Sequence, residues 1–175
     1  NVSQFEEMVQ SAKANNVLLM EAMWTKFLPS TIKVREVIQS GSLGKLKHAQ
    51  LEFGINMLHH LSEDGRLLNI DLAGGSLLDL GVYPVSYTLN ITDQPIENLD
   101  AKAKFHQTGV DINCVINMTF KDGSTAKLKS SMNEELQNSG VLEFEKGTIT
   151  IDNFWKSERL TINDEEYKFP FIGDG

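Results

Sequence analysis

Residues 99–132, with the sequence LDAKAKFHQTGVDINCVINMTFKDGSTAKLKSSM, contain three runs in which apolar and polar residues alternate. An alternation with a period of two is typical of β-strands that have one apolar face. The segment Lys121-Asp122-Gly123-Ser124, between the second and third runs, carries the Asp-Gly signal of a β-hairpin. The rest of the chain predicts shorter strands near 140–145, 147–152, 157–162 and 165–169. The second half of the chain therefore predicts a largely antiparallel sheet.

Upstream of this sheet, the pattern changes to that of helices. Apolar residues at helical spacing behind Ser3 predict an amphipathic helix over about residues 3–15. The apolar run at 17–20 is then predicted to be a buried strand. Pro29 opens a second helix, which is predicted to end at Gly41.

A long strand is predicted after Gly44, where apolar and polar residues alternate from Ala49 to Met57. A third helix is predicted over about 76–91, and Pro84 is expected to kink it. These elements together predict an α+β fold in which helices cover one face of an open, mostly antiparallel sheet. Its other face is polar and is free to contact solvent or a second subunit.

Composition narrows the class of protein. Of the 175 residues, 41% are hydrophobic and 23% are charged, as in ordinary globular proteins. The formal net charge of -8 argues against nucleic acid or an anionic membrane as the main partner, because both attract basic surfaces. No apolar run approaches the roughly 20 residues that span a bilayer. Cys114 is the only cysteine, so we expect a reduced, cytoplasmic setting.

Asp79 and Tyr83 are the strongest candidates for catalysis. They lie four residues apart on the third helix, so their side chains share one face of an otherwise apolar helix. A carboxylate and a phenol in this arrangement can bind a hydroxylated substrate and move a proton. A phenol has a reference pKa of roughly 10 and needs a nearby cation to do so near neutral pH. The alternative is a polar stripe with an ordinary hydrogen bond.

Other residues are candidates for binding substrate. The pair Gly74-Gly75 precedes the third helix, where backbone N–H groups can face a substrate oxygen, although a tight turn is the simpler explanation of the pair. Arg66 lies in the long loop 58–73, and long loops are often functional. Trp24 follows the predicted strand and either walls a pocket or packs at a domain junction.

Several familiar motifs do not occur in the sequence. The chain has no G-x-G-x-x-G dinucleotide fingerprint and no G-x-S-x-G nucleophile motif. His59 and His60 are adjacent, and no H-x-x-x-H or C-x-x-C spacing is present, so we expect no metal site. Cys114 falls on the apolar side of a strand and is predicted to be a core residue.

Three stretches together resemble the Gfo/Idh/MocA family, the oxidoreductases related to glucose–fructose oxidoreductase and inositol dehydrogenase. They are LMEAMWTKFLP at 19–29, VIQSGSLGK at 37–45 and LAGGSLLDLGVYP at 72–84. The third is the most specific, because it contains the family pattern D-x-G-x-[HY]. The similarity is greatest to the branch of dimeric dihydrodiol dehydrogenases and xylose dehydrogenases.

The resemblance implies an N-terminal Rossmann domain that binds NAD or NADP, followed by a domain built on an open antiparallel sheet. Residues 1–21 would be the last helix and strand of the first domain, and 22–175 the substrate-binding and oligomerisation domain. We therefore expect both ends of the chain to lie inside a longer protein. The resemblance assigns general acid/base catalysis to Tyr83 and substrate orientation to Asp79. A lysine in an E-K-P motif, expected upstream of residue 3, would assist them.

Two functions are compatible with the sequence. The first is an oxidoreductase that moves hydride between a nicotinamide and a hydroxyl-bearing carbon of a small-molecule substrate such as a sugar, polyol or cyclic diol. The resemblance also implies a homo-oligomer, such as a homodimer, formed through the polar face of the sheet. This chain alone is predicted to be inactive and not to bind the cofactor. The second function is a non-catalytic binding or oligomerisation module.

Overall fold

The computed structural model describes residues 2–170 of the chain, so Asn1 and residues 171–175, including the expected C-terminal boundary, lie outside the described residues. The helices are α1 (Val2–Ala14), α2 (Pro29–Ser40) and α3 (Val82–Ile91). The strands are β1 (Leu46–Gly54), β2 (Ile96–Phe105), β3 (Asp111–Phe120), β4 (Thr125–Ser131), β5 (Gly140–Phe144), β6 (Gly147–Ile151), β7 (Arg159–Ile162) and β8 (Glu165–Lys168).

The strands form one open sheet in the order β2-β3-β4-β1-β5-β6-β7-β8. The central pair β1–β4 is parallel, and the other neighbouring pairs are antiparallel. The predicted hairpin between β3 and β4 is confirmed, with Gly123 in the left-handed region at φ 84°. The α+β class and the mostly antiparallel sheet are therefore as predicted.

The core lies between one face of the sheet and the helices α2 and α3. Alternate residues of β1, namely Ala49, Leu51 and Phe53, are buried there, and Val34 of α2 is fully buried against them. Cys114 is buried in the same core, as predicted, and burial followed by the charge of Asp111 raises the pKa of its thiol. Gly41 caps α2 in the left-handed conformation, also as predicted. This layer of helices positions the loops that lie before α3.

The predicted buried strand at 17–20 is wrong. These residues have no regular secondary structure, and Leu18 and Met20 are 89% and 64% exposed. Helix α1 likewise has no buried residue. A buried parallel strand needs a strand beside it and a layer on each face, and residues 2–170 supply neither to this segment.

The layer of helices covers less of the sheet than the alternation predicts. Every residue of β2 is exposed, including Leu99 and Phe105 on its apolar side. On the opposite, polar face, Asn113 is buried, because Glu134 and its neighbours fold back over it after β4. The exposed part of the polar face is therefore centred on the side chains of Asn117 and Lys127.

Within residues 2–170, none of the helices combines the length and the apolar character that a bilayer-spanning helix requires.

Candidate active site

The helix that carries the candidate pair begins with a π-helical turn, Leu77–Gly81, and continues as α3. Pro84 cannot donate a hydrogen bond to the carbonyl of Leu80, so regular α-helical bonding is interrupted at this turn. A Cβ atom at Gly81 would lie 2.9 Å from Oγ of Ser130, so the missing side chain lets the turn lie directly on β4. The irregularity predicted at Pro84 is thus a widened turn that contains Asp79, a type of distortion frequent at functional sites.

Asp111, at the start of β3, holds the beginning of this turn. Its Oδ2 atom accepts a hydrogen bond of 2.8 Å from the backbone N–H of Leu77. A carboxylate is well suited to this position, because the first N–H groups of a helix lack partners within the helix and carry partial positive charge. The sheet therefore fixes the start of the helix that presents Asp79 and Tyr83.

Gly74 and Gly75 form the tight turn that precedes the helix. The N–H of Gly74 donates to the carbonyl of Asn69 at 3.0 Å, and that of Gly75 donates to the carbonyl of Leu67 at 2.9 Å. The N–H of Gly75 is therefore engaged within the loop, and a role for Gly75 in binding substrate stays a prediction. A glycine is required at position 75 by the backbone conformation, because φ is 114° and a Cβ atom there would lie 2.3 Å from Oδ1 of Asp111.

Asp79 is paired with Arg66 from the loop. Nη2 of Arg66 lies 2.5 Å from Oδ1 of Asp79, and the two side chains are 57% and 24% exposed. The sequence predicts that Arg66 binds substrate directly. In the structure its guanidinium pairs with the carboxylate of Asp79. Asp79 remains open enough to solvent for a substrate hydroxyl to reach it.

Tyr83 lies against a cluster of aromatic side chains. Its ring is edge-on to Phe53, with 5.5 Å between centroids, and to Trp155, with 6.2 Å. Phe53 and Trp155 stack on each other at 4.9 Å, and Trp24 lies edge-on to Trp155 at 6.2 Å. Four aromatic rings thus form a continuous wall from Trp24 to Tyr83, and such a wall suits the apolar faces of a ring-shaped substrate.

Tyr87, one turn further along α3, shows why Tyr83 is the better proton carrier. Tyr87 is 2% exposed and packs edge-on to Phe154. Burial raises the pKa of Tyr87 far above its ordinary value, by more than the neighbouring Thr31 hydroxyl lowers it. Tyr87 therefore stays a neutral core residue, whereas Tyr83 is only partly buried.

A cavity with a volume of about 1060 Å³ is lined by Trp24, Trp155, Asp152, Arg159, Lys168 and Phe169, among others. Asp79 and Tyr83 do not line it, and Trp155 connects it to the aromatic wall. The indole N–H of Trp155 is buried and has no hydrogen-bond partner in the described part of the chain.

Three residues around the candidate pair carry no sequence signal that marks them as site residues. The sequence pattern marks Phe53 only as part of the apolar face of β1. Trp155 and Asp111 are distant in sequence from the third helix, and no spacing connects them to it. Among residues 2–170, no group of three or more His, Cys, Asp or Glu side chains is arranged to hold a metal ion.

Comparison with known proteins identifies the family. Residues 31–150 match the model of the GFO/IDH/MocA C-terminal domain. The chain belongs to the Gfo/Idh/MocA family. Its relatives include trans-1,2-dihydrobenzene-1,2-diol dehydrogenases, with 33% identity over 171 residues for the mouse protein (Mus musculus) and 31% over 172 residues for the human one (Homo sapiens). Each alignment covers 97% of this chain and 50% of the relative, so the chain spans about half the length of these relatives.

Solved structures of oxidoreductases share the fold. An aldose-aldose oxidoreductase from Caulobacter crescentus, complexed with glycerol, superimposes with a TM-score of 0.83 at 20% identity, over 99% of this chain and 54% of its own. An inositol dehydrogenase homologue from Azotobacter vinelandii, complexed with NAD+, gives a TM-score of 0.81 at 15% identity, over 93% and 46%. At these identities the likeness concerns the fold alone.

Proposed function

We propose that the intact protein is an NAD(P)-dependent oxidoreductase that transfers hydride between a nicotinamide and a hydroxyl-bearing carbon of a sugar, polyol or cyclic diol. One observation carries the proposal: Asp79 and Tyr83 stand on one helix, with Asp79 partly open to solvent and Tyr83 against the aromatic wall. Membership of the Gfo/Idh/MocA family and the dehydrogenase relatives support it. Residues 1–21 would end a Rossmann domain, and 22–175 would bind substrate and assemble the oligomer.

Each residue has a distinct role in this proposal. Tyr83 exchanges a proton with the reacting hydroxyl, because it is the tyrosine that is both on the candidate face and partly accessible. Asp79 accepts a hydrogen bond from a substrate hydroxyl and so orients the reacting carbon. Trp24 and Trp155 pack against the carbon skeleton of the substrate and exclude water from one side of it, and the buried ring of Phe53 supports Trp155 from behind.

The described residues do not themselves fit a dinucleotide. A pyrophosphate is held by backbone N–H groups at a glycine-rich turn before a helix, and the N–H groups of Gly74 and Gly75 donate to loop carbonyls instead. The nicotinamide, held by another part of the protein, would supply the hydride acceptor or donor. The choice between NAD and NADP lies in that part, and a cytoplasmic location remains a prediction.

The polar face of the sheet is proposed as the surface for assembly into a homodimer or larger homo-oligomer. Asn117 and Lys127 are exposed on it, and no helix of residues 2–170 covers them. If the catalytic proposal fails, a non-catalytic binding or oligomerisation module built on this surface is the second candidate.

The catalytic proposal is tested by Tyr83→Phe in the intact protein, with trans-1,2-dihydrobenzene-1,2-diol, D-xylose and inositol as substrates and both NAD and NADP as cofactors. Loss of the hydroxyl should lower kcat by about 10²–10⁴-fold with little change in KM, because the proton moves chiefly in the transition state. The reduced nicotinamide reports the rate.

Tyr87→Phe is the matched control, since it removes a phenol oxygen from the same helix one turn away. It should leave kcat within a few-fold of wild type. A Tyr83→Phe enzyme as active as this control would refute the role of Tyr83, and an intact wild-type protein that is inactive with every substrate would favour the binding module.

A further inference from the structure

We propose that Arg66 is a positioning residue: its guanidinium holds one carboxylate oxygen of Asp79, so that the other oxygen faces the substrate. Nη2 of Arg66 lies 2.5 Å from Oδ1 of Asp79. The described residues give Oδ2 of Asp79 no hydrogen bond, so that oxygen is available to accept one from a substrate hydroxyl. This inference rests on the proposed function, because it assigns Asp79 to the substrate.

The backbone around Arg66 is fixed against the segment that leads into the helix. A Cβ atom at Gly74 would lie 2.5 Å from the carbonyl oxygen of Arg66, so only glycine allows the two backbones to approach this closely. The N–H of Gly75 donates to the carbonyl of Leu67, and Leu68 is buried in the protein. The loop therefore presents Arg66 to Asp79 from a backbone that is held on both sides.

The ion pair is poorly placed to stabilise the fold. Both side chains are in contact with water, and exposed ion pairs contribute little to folding. A guanidinium is planar and directional, however, so it restricts the rotation of the carboxylate that it binds. The principal effect of Arg66 is therefore on the orientation of Asp79.

The second carboxylate in the region has a different task. Asp111 places both of its oxygens at the helix start, with Oδ2 on the N–H of Leu77 and Oδ1 beside Gly75. It fixes where the helix begins, whereas Arg66 fixes how one side chain on that helix points. The two effects are separable by experiment.

A double-mutant cycle in the intact protein tests the inference, with Arg66→Met, Asp79→Asn and the double variant. Arg66→Met should lower kcat/KM by about 10–100-fold, the size expected for a misplaced reacting group. In the Asp79→Asn background it should cause no further loss, because Arg66 acts through Asp79. Arg66→Lys should restore part of the activity, and Arg35→Met, on the exposed side of α2, should leave kcat/KM unchanged.

Two outcomes of the cycle would overturn the inference: kcat/KM of Arg66→Met within twofold of wild type, or an equal loss in both backgrounds. Crystal structures of the wild-type and Arg66→Met proteins give a readout without activity. The Asp79 side chain should adopt a different rotamer in the variant, and an unchanged Asp79 would overturn the inference. An intact wild-type protein that is inactive with every substrate counts against the proposed function alone, and the rotamer of Asp79 then decides the role of Arg66.

Discussion

Glu134 illustrates how single charges act on the polar face of the sheet. A hydrogen bond from Lys129 is the largest cause that lowers the pKa of Glu134, and the charges of Lys129 and Lys104 lower it further. Because the folded pKa is below that of the unfolded chain, the interaction stabilises the fold above about pH 4.3. Its contribution is lost as the pH falls through the folded pKa.

We therefore expect Glu134→Gln to lower the free energy of unfolding at pH 7 by less than about 1 kcal/mol, because the carboxylate is largely exposed and screened by water. The difference should shrink as the pH falls and vanish once Glu134 is protonated in the folded protein. Urea unfolding over a series of pH values from 7 downward measures this difference. Glu143→Gln, which removes a carboxylate without an ion pair in the described residues, should have a smaller effect at pH 7, and equal effects of the two variants would contradict the prediction.

At the same scale, the sequence predicts the reacting pair better than its surroundings. Asp79 and Tyr83 are visible because they interrupt an apolar helix at a spacing of four residues. The contacts of Arg66, Asp111 and Trp155 with this region are made across loops and strands, so no local pattern encodes them. The sequence also does not show that the N–H of Gly75 donates to the carbonyl of Leu67, because this hydrogen bond depends on how the loop folds.

The turn before the third helix is the element on which the site depends most. Gly75→Ala introduces a side chain at φ 114° and displaces the carboxylate of Asp111 from the N–H of Leu77. We expect a loss of about 2–4 kcal/mol in the free energy of unfolding, from backbone strain together with an unsatisfied hydrogen bond. Chemical denaturation measures it.

Gly109→Ala is the matched control, since Gly109 also has a positive φ, of 90°, but a Cβ atom there would make only an ordinary contact of 3.7 Å with Ile70. It should cost about 1–2 kcal/mol, the strain alone. If both variants lose the same stability, the contact between Gly75 and Asp111 is not a constraint on the helix.

Among the elements, those encoded by local periodicity were predicted and those that depend on distant partners were not. Helix α2 with its Gly41 cap and the β3–β4 hairpin follow from sequence pattern. The parallel pairing of β1 with β4 has no local signal, because the two strands are far apart in the chain. The segment 17–20 has the composition of a buried strand, and composition cannot supply the neighbouring strands that burial needs.

At the scale of the whole molecule, this chain alone should not bind NAD(H) or NADP(H). Its sequence has no G-x-G-x-x-G dinucleotide fingerprint, and the N–H groups of Gly74 and Gly75 before the third helix donate to loop carbonyls. Isothermal titration calorimetry with NADH and NADPH measures the affinity. Saturable binding with a Kd of about 1 μM would mean that a nucleotide site exists within these residues.

The polar face of the sheet should mediate self-association. Light scattering of this chain should give a mass of at least twice 19.6 kDa. Lys127→Glu, in the exposed centre of the face, should raise the dissociation constant of the oligomer about tenfold, since reversing a charge in a two-fold contact disturbs both copies. Lys26→Glu makes the same change of charge beside α2 and should have no effect. A monomer at high concentration would exclude the interface.

The parallel pairing at the centre of the sheet also constrains the order in which the chain can fold. In the register of β1 with β4, His48 lies beside Thr125, and on its other edge β1 pairs with β5, where Leu51 lies beside Gly140. Neither edge of β1 can pair until the chain has been synthesised past β4. The β3–β4 hairpin, whose strands are adjacent in sequence, can form first and offer an edge to β1. During translation, β1 therefore has no partner strand until β4 has been made, and exposed apolar strands of this kind favour aggregation.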